Sequence, residues 1–404
     1  MNIKQITDTA ECCSCGACYS ICPQSAISIE VTNIGRKYAK INDNCIECGL
    51  CSKVCPVFNA TAREQFSDLF VGDILNCYIG KSLDRIIFDN AQSGGLCTTV
   101  LKYLFDNKMI DAAVVTCMEE GHVPLVHSKI VTTVNELYES QKSCYTMVDV
   151  LSSLKDSSSY KSIAVVGLPC QIHAVNELCK TSTKFKNIKY KLGLVCDRTL
   201  CSTIQEVMLK LAGIKEEKVK IQWRRKKGSY NSMEFSYRSA PITITSNDKI
   251  IAALTRENRL GLKEYFTPPC CYKCTDKLGI YADVVFGDPW GVSGADFKNG
   301  ESLFITRTKN GEEIISGCLK QNCITLRNAD RNEVLTGQKI NQKRKSTLSN
   351  SVQVKISDFL LRERLSKDQI VDLAIDVLKK EKRKKESFLY KAQMFCKRII
   401  KKIS

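Results

Sequence analysis

Apolar runs of strand length alternate with segments of helical periodicity through the middle of the chain. Four short runs rich in β-branched residues predict strands, namely NCYIG, DAAVVTCM, SIAVVGLPC and KYKLGLVCD. Between them, LCTTVLKYLFDNK and QIHAVNELCK place apolar side chains three and four positions apart, which predicts helices. This alternation predicts an α/β domain with a largely parallel sheet over residues 73–215.

The pattern differs on both sides of this domain. In residues 26–43, apolar and polar positions alternate around a turn at residues 33–35, which predicts a small hairpin. Beyond residue 215, strand-like runs such as VKIQWRR and ITITS dominate, and the last part of the chain is polar and then helical. We therefore expect four regions: residues 1–60, 73–215, 216–332 and 333–404.

Composition is that of a globular protein. The chain has 404 residues, of which 44% are hydrophobic and 25% charged, which suits two to three folded domains. No apolar run reaches the roughly 18 residues of a membrane-spanning helix, and the N-terminus lacks the charged-then-apolar order of a secretory signal. We therefore expect a cytoplasmic protein.

Cysteine is the most informative residue type in the chain. The 23 cysteines exceed what core packing uses, and a disulfide framework is not expected in the cytosol, so metal or redox chemistry is the expected role. Eight of them form two copies of CxxCxxCxxxCP, in which three thiolates bind one iron–sulfur cube and the fourth reaches the other cube. The predicted first set is Cys12, Cys15, Cys18 and Cys55, and the predicted second set is Cys45, Cys48, Cys51 and Cys22.

Zinc is the alternative occupant of these motifs, since CxxC pairs also form tetrahedral zinc sites. Eight ligands in two copies, each ending in Cys-Pro, favour clusters over zinc. The repeat closely resembles the bacterial two-cluster ferredoxin domain at all eight positions. This resemblance implies an α+β, ferredoxin-like module over residues 1–60 that holds two [4Fe–4S] clusters and conducts electrons singly.

Three further turns carry candidate cofactor chemistry. Ser93, Gly94 and Gly95 open a helix, where bare backbone amides hold phosphate in other proteins, although an ordinary helix cap explains the same turn. The GLPCQ turn after a predicted strand places Cys170 and Gln171 at the edge of the sheet where ligands bind. The run CYKC precedes ADVVFGDPWG, a rigid turn beside a large aromatic side chain.

Together, SGG, GLPCQ, LGLVCD, CYKC and ADVVFGDPWG resemble, in the same order, the family of coenzyme F-420 hydrogenase/dehydrogenase beta subunits. The resemblance runs from about residue 78 to about residue 315. It implies a flavin, usually FAD, over the α/β domain, with a cubane cluster nearby that relays electrons. The residues that the motifs imply at the flavin are Ser93, Gly94, Gly95, Gln171, Asp288 and Trp290.

The same resemblance implies ligands for a third cluster. The expected third set is Cys170, Cys196, Cys271 and Cys274, with Cys270 as the substitute if Cys196 is structural. The alternative for Cys170 and Cys196 is burial as small apolar side chains. We interpret Cys13, next to the first ligand, as a bystander.

Positive charge is concentrated at the C-terminus. The formal net charge is +17, and residues 379–404 contribute nine of these charges. Apolar residues from Phe388 to Ile403 align on one helical face with lysine and arginine beside them, which predicts a basic amphipathic helix. Such a helix lies on anionic lipid at the inner face of the membrane, docks on a partner or packs on its own domain. The basic run at residues 224–227 either contacts phosphates or forms a solvated hairpin, and base-stacking aromatics for nucleic acid are lacking.

These features predict an iron–sulfur flavoprotein oxidoreductase that passes electrons between [4Fe–4S] clusters and a flavin. Its counterpart would be a redox partner protein or a small electron carrier. The alternative is a non-catalytic electron-transfer subunit of a larger complex. For that alternative, the resemblance points to surface-polysaccharide modification, because many bacterial relatives accompany polysaccharide pyruvyl transferases. No catalytic residue is assigned from the sequence.

Overall fold

A computed structural model of the protein describes six stretches of the chain. They are residues 3–60, 66–216, 218–226, 228–231, 233–235 and 241–403. Within them, only the backbone is described at residues 228–229, 233–235, 385–386 and 388–403. The side chains of the predicted basic amphipathic face therefore lie outside the described residues.

The N-terminal residues form a cysteine-rich module around a hairpin. Its elements are helices α1 (Lys4–Asp8), α2 (Ala17–Ile21) and α3 (Leu50–Lys53), with strands β1 (Ile27–Val31) and β2 (Lys37–Ile41). The two strands pair antiparallel around residues 33–35. The predicted hairpin is therefore confirmed.

The body of the protein is built on an eight-stranded sheet. Its strands, in spatial order, are β15 (Ile324–Asn328), β3 (Asn76–Ser82), β14 (Ser302–Thr306), β13 (Val284–Gly287), β7 (Ile188–Leu194), β6 (Ile163–Gly167), β4 (Ala112–Glu119) and β5 (Leu125–Val131). The adjacent strands β13, β7, β6 and β4 are parallel, and the outer strands join antiparallel. The expected α/β domain with a largely parallel sheet is present, with antiparallel strands added at both sides.

One sheet joins two of the expected regions. Strand β13, from the region beyond residue 215, pairs with β7 of the earlier region, and β14 and β15 pair with β3. The expected boundary near residue 215 therefore falls within one folded unit. Hydropathy periodicity is local and identifies strands, but it does not reveal which strands pair.

Helices cover both faces of this sheet. On one face, α5 (Leu96–Asp106) and α11 (Lys309–Lys320) bury apolar side chains against it. On the other face lie α7 (Pro169–Thr181) and a 3-10 helical segment (Val150–Ser159), together with α2 of the cysteine-rich module. Leu137 of α6 (Val134–Glu139) joins the core on the α5 face, and Phe185 of a 3-10 turn (Thr183–Phe185) joins the core on the α7 face. A short helix, α4 (Arg85–Asn90), follows β3.

A second layer contains a smaller sheet and several helices. Its strands are β8 (Lys220–Gln222), β11 (Ile242–Ser246) and β12 (Lys249–Leu254), beside a hairpin of β9 (Gly228–Tyr230) and β10 (Met233–Phe235). The helices that share its apolar core are α8 (Ile204–Ala212), α9 (Arg256–Leu262), α14 (Ser351–Glu363) and the start of α15 (Lys367–Ile403). Helix α10 (Pro269–Lys273) packs on α14, whereas α12 (Arg331–Gly337) and α13 (Ile340–Thr347) bury Val334 and Ile340 in the core of the large sheet. Ile370, Val371 and Ala374 bury the start of α15 in this layer. No helix in the described ranges is long and apolar enough to cross a bilayer.

The hairpin tip anchors the cysteine-rich module to the second layer. Ile34 is fully buried in the apolar core of that layer. The carbonyl of Gly35 accepts a hydrogen bond from the amide of Ser202 at 2.9 Å, and the carbonyl of Asn33 accepts one from the hydroxyl of Thr203 at 3.0 Å. Beside them, Arg36 Nε lies 2.7 Å from Glu363 Oε1. The burial of Ile34 and these polar contacts together hold the hairpin tip against the second layer.

We predict that Gly35→Ala weakens this docking. Gly35 has a φ of +83°, and a methyl group there would lie 2.5 Å from the amide nitrogen of Thr203. Gly213→Ala is the control, because Gly213 has a φ of +67° with no atom within 4 Å of the added carbon. The control should lose only about 1 kcal/mol from the backbone conformation. Gly35→Ala should lower the melting temperature clearly further, and equal losses in the two variants would contradict the docking.

Candidate functional site

A first cavity lies where the two cysteine motifs meet. Cys12, Cys15, Cys18 and Cys55 line it, and apolar side chains of α1 and the hairpin complete its wall. Backbone amides face two of these sulfurs. The N–H groups of Ala39 and Ser14 face Cys12, and the N–H group of Ala17 faces Cys15. Burial is the main cause that raises the pKa of Cys55 to about 12, and the charge of the neighbouring Cys15 is the second cause. The structure thus assembles the predicted first set, including the cysteine contributed by the second motif.

A second cavity holds the other predicted set. Its wall includes Cys22, Cys45, Cys48 and Cys51. The amide of Ala26 donates to the sulfur of Cys22 at 3.3 Å. Cys48 is exposed, whereas Cys15 and Cys18 of the first set are buried. Among the eight predicted ligands Cys48 is thus the exposed one, so the second set reaches the surface although its Cys51 is buried.

The backbone explains why the motif repeats in structure as well as in sequence. Ser14 and Glu47 have φ values of 56° and 53°, and Gly16 and Gly49 have values of 85° and 75° just before α2 and α3. The same left-handed turns wrap each loop so that its thiols face inward. At Gly16 the glycine is also needed for packing, since an added methyl carbon would lie 2.6 Å from the amide nitrogen of Ser152.

The geometry of these cysteines bears on the choice between zinc and clusters. Across the parts of the chain that the structure describes, no three His, Cys, Asp or Glu side chains converge closely enough to hold a single metal ion. The two cysteine sets instead surround cavities. Thiols spaced around a cavity fit a polynuclear iron–sulfur cluster, whereas a tetrahedral zinc site needs four sulfurs about 2.3 Å from one point.

The third predicted set assembles at the carboxyl edge of the large sheet. Cys170 follows β6 and Cys196 follows β7, and these strands are parallel neighbours, so both cysteines reach the same edge. Cys271 lies in α10, and Cys274 ends that helix. Burial raises the pKa of Cys196 well above its usual value, with further increases from Cys271, Cys170 and Cys274. All four thiols are therefore close enough to interact.

Two cysteines outside the predicted ligand sets interact with them. Cys13 lines the first cavity, and interactions with Cys15 and Cys170, followed by burial, raise its pKa well above the usual value. Interaction with the adjacent Cys271, followed by burial, raises the pKa of Cys270 well above its usual value, and Cys170 and Cys12 raise it further. Cys13 thus lines the first cavity beside the predicted ligands, and its interpretation as a bystander stays a prediction. In the sequence, the Cys-Cys doublets at 12–13 and 270–271 were the signal that additional thiols lie beside the predicted ligands.

The SGG turn is packed against the same sheet edge. The amide of Gly94 donates to Ser302 Oγ at 2.9 Å, and Ser93 Oγ lies 2.9 Å from the same hydroxyl. A methyl group at Gly94 would lie 2.5 Å from the carbonyl oxygen of Gly80. Close packing on β3 and β14 thus explains this glycine, and its amide does not face a phosphate.

The other residues expected at a flavin also have protein contacts. Gln171 Oε1 accepts from the amide of Leu168 at 2.7 Å and its Nε2 donates to the carbonyl of Val148 at 3.0 Å, so this side chain caps α7. Trp290 stacks on Phe297, with ring centroids 5.3 Å apart.

Arg224 joins two of the cofactor motifs. It pairs with both carboxylate oxygens of Asp288, at 2.6 and 2.9 Å, and donates to the carbonyl of Gln92 at 3.0 Å. Lys226, two residues on, is buried and donates to the carbonyls of Phe88 and Ser93. The basic run is therefore not a solvated hairpin in its described part, because it ties the GDPWG turn to the SGG turn.

All of these groups lie in one order along the sheet. The SGG turn packs at β3 and β14, Asp288 follows β13, Cys196 follows β7 and Cys170 follows β6. The cysteine-rich module packs beyond Cys170, on α7. Two cysteine cavities, a third cysteine set and the glycine-rich turns thus define the architecture of an iron–sulfur redox protein with an α/β body.

Comparison with known proteins agrees with this class. Residues 77–155 match the N-terminal part, and residues 160–332 the C-terminal part, of the coenzyme F420 hydrogenase/dehydrogenase beta subunit, and residues 11–59 match a 4Fe-4S dicluster domain. The chain belongs to the family of coenzyme F420 hydrogenase/dehydrogenase beta subunits and carries a 4Fe-4S dicluster domain at its N-terminal end. The resemblance stated from the sequence motifs is confirmed.

Individual relatives share limited identity with the chain. It is 28% identical to one subunit of the F(420)H(2) dehydrogenase of Methanosarcina mazei over 326 residues, covering 77% of this chain and 83% of that protein. It is 26% identical to the coenzyme F420-dependent sulfite reductase of Methanocaldococcus jannaschii over 330 residues, covering 77% of this chain but only 46% of that protein. In fold it is similar to a chain of the F420-reducing [NiFe] hydrogenase complex from Methanosarcina barkeri, with a TM-score of 0.54, 20% identity and coverage of 69% and 92%.

Paired substitutions test which cysteines share a cluster. Each of Cys15→Ala and Cys55→Ala should remove about four irons per chain, and the double variant should lose no more than either single variant, because both thiols line one cavity. Combining Cys15→Ala with Cys22→Ala should remove about eight irons. Cys117→Ala, in the apolar core, is the control and should keep all iron. Additive loss in the Cys15/Cys55 pair, measured by anaerobic iron and sulfide assay, would contradict the crossed assignment.

Proposed function

We propose that the protein is an electron-relay component of an oxidoreductase. Three [4Fe–4S] clusters, in the first, second and third cysteine sets, connect a redox partner to a flavin or deazaflavin. The observation that supports this most strongly is the order of the glycine-rich turns and the third set along one edge of the sheet, with the module that carries the first and second sets packed on α7 beside them. The second set, where Cys48 is exposed, is the end that meets the partner.

The cofactor class follows from two considerations. The family expectation is FAD, and the names of the relatives point to the deazaflavin coenzyme F420. Either group supplies two-electron chemistry when bound, which clusters divide into single electrons. Both carry phosphate, so the chain must provide positive charge near the turns. The amide of Gly94 does not serve this purpose, because Ser302 accepts its hydrogen bond.

Arg259, in α9, has the character of an anion-binding group. Its guanidinium lies 4.3 Å from the centre of the Tyr145 ring, and its Nε is buried with no hydrogen-bond partner. Burial lowers its pKa, and the positive charges of Arg256 and Arg224 lower it further. Arg259 is half-buried, no salt bridge to it is found among the described residues, and a partly buried charge without a partner is costly. A phosphate bound here would balance that charge.

Arg259 stands between the cofactor turns and the third cysteine set. Its neighbour Arg224 is paired with Asp288 of the GDPWG turn. The carbonyl of Tyr145 accepts hydrogen bonds from the segment that follows Cys196, at 2.9 Å from the amide of Leu200 and 3.3 Å from the hydroxyl of Thr199. A cofactor whose phosphate lies on Arg259 would therefore be bound next to the segment that follows Cys196.

The test uses anaerobic, cluster-loaded protein with reduced coenzyme F420 or reduced FAD as electron donor. Clusters in the wild type should become reduced, as seen by EPR, with the donor that the protein uses. Arg259→Gln should raise the cofactor Kd about tenfold, the effect of losing one charge-assisted hydrogen bond. Arg362→Gln is the matched control, because Arg362 is also stacked on a tyrosine and has a buried Nε without a partner, but lies on α14.

Two results would contradict this proposal. Clusters that stay oxidised with both donors would exclude the relay from a flavin or deazaflavin. An unchanged cofactor Kd in Arg259→Gln, or an equal change in Arg362→Gln, would exclude the assigned phosphate position. Reduction that needs an added partner protein would identify the chain as a non-catalytic subunit.

A further inference from the structure

A single lysine of α13 contacts two of the chain segments that carry the third cysteine set. Lys343 Nζ donates to the carbonyl of Cys271 in α10 and to the carbonyl of Asp197, each at 3.2 Å. Asp197 directly follows Cys196, just beyond the end of β7. One ammonium group therefore joins the segment that carries Cys196 to the segment that carries Cys271, although the two are far apart in sequence.

The backbone and a neighbouring hydroxyl support the same junction. The amide of Cys196 donates to the carbonyl of Lys277, in the loop after α10, at 3.0 Å. One turn beyond Lys343 on α13, the hydroxyl of Thr347 donates to the carbonyl of Cys274 at 3.4 Å. Helix α13 thus contacts both cysteines of the CYKC run through their carbonyl groups.

The positive charges around this junction outnumber the negative ones. Lys343 is only 7% exposed, and no carboxylate within the described ranges lies at ion-pairing distance from its Nζ. The carboxylate of Asp197 pairs instead with Lys263 at 2.9 Å and with Arg198 at 3.1 Å, and the buried Lys277 lies 4.0 Å from it. A buried cation is costly without a compensating negative charge, and a cluster bound by thiolates supplies such a charge.

We propose that Lys343 is a positioning residue of the third cluster site, which joins two ligand-bearing segments and places a buried positive charge beside the cluster. This inference rests on the proposed function. A [4Fe–4S] cluster bound there supplies one-electron chemistry. The electron comes from the reduced cofactor, or from the reductant in a titration, and Lys343 gains or loses neither a proton nor a bond when the electron arrives.

The expected consequence is a more positive reduction potential at the third site. Reduction adds negative charge, which a fixed positive charge stabilises, and this attraction is weakly screened in a buried site. Lys343→Met removes the charge and the donor but keeps an unbranched apolar side chain. Lys343→Arg keeps both the charge and N–H donors. A role in packing alone would affect stability or iron retention, whereas the charge also affects the potential.

The experiment is an EPR-monitored redox titration of anaerobic, cluster-loaded full-length protein, with iron counted per chain. The signal that is missing from Cys274→Ala is assigned to the third cluster. Lys343→Met should keep about twelve irons and shift the midpoint potential of that signal to a more negative value. Lys343→Arg should return the midpoint toward that of the wild type.

Two variants on the same helix are the controls. Lys345→Met removes a charge that is exposed to solvent, so screening by water and salt should leave the third midpoint as in the wild type. Thr347→Val removes the neutral hydroxyl contact with the Cys274 carbonyl at a similar side-chain size, so it tests loosening of α13 without a change of charge. Neither control should shift the third midpoint as far as Lys343→Met does.

The possible failures are distinguishable. An unchanged third midpoint in Lys343→Met with full iron, or an equal shift in Thr347→Val, would overturn the role of Lys343 and leave the proposed relay standing. Loss of about four irons in Lys343→Met but not in Lys343→Arg would support the joining role, whereas the same loss in both variants would overturn it, because side-chain shape and not a charged donor would then hold the site. A wild type with only about eight irons would overturn the third cluster of the proposed function, and this inference with it.

Discussion

The docking of the cysteine-rich module onto the α/β body is the interaction on which the rest of the structure depends. Burial of Ile34 and the close approach of Gly35 to the body anchor the hairpin tip, and the Glu11–Lys273 ion pair holds the opposite side. Electron transfer slows steeply with distance. A loosely tethered module would vary the distance between its cysteine sets and the sheet edge, whereas this docking fixes the module against the body.

The parallel strands provide the second constraint. Neighbouring parallel strands end at one edge about 4.8 Å apart, so residues that follow β13, β7 and β6 are brought together although they are distant in sequence. In this protein Asp288, Cys196 and Cys170 follow those strands. The edge therefore joins a polar turn, tied by Arg224, to a thiol-rich site next to the module.

The local features were predictable from sequence, and the long-range contacts were not. Ligand spacing and strand periodicity are local, so the cysteine motifs, the hairpin at Gly35 and the parallel centre of the sheet followed from the pattern. The grouping of β13 with β7 depends on pairing that hydropathy does not encode. The SGG motif suggested a phosphate-binding turn at Gly94. The close packing of Gly94 against Gly80 is visible only in the three-dimensional structure.

The proposed relay requires that three cysteine sets hold three clusters in a line from the solvent-facing motif to the sheet edge. The most direct measurement is anomalous scattering at the iron edge from crystals grown without oxygen. Three iron peaks are expected, two within the cysteine-rich module and one among Cys170, Cys196, Cys271 and Cys274. Two peaks, with none at the sheet edge, would contradict the relay.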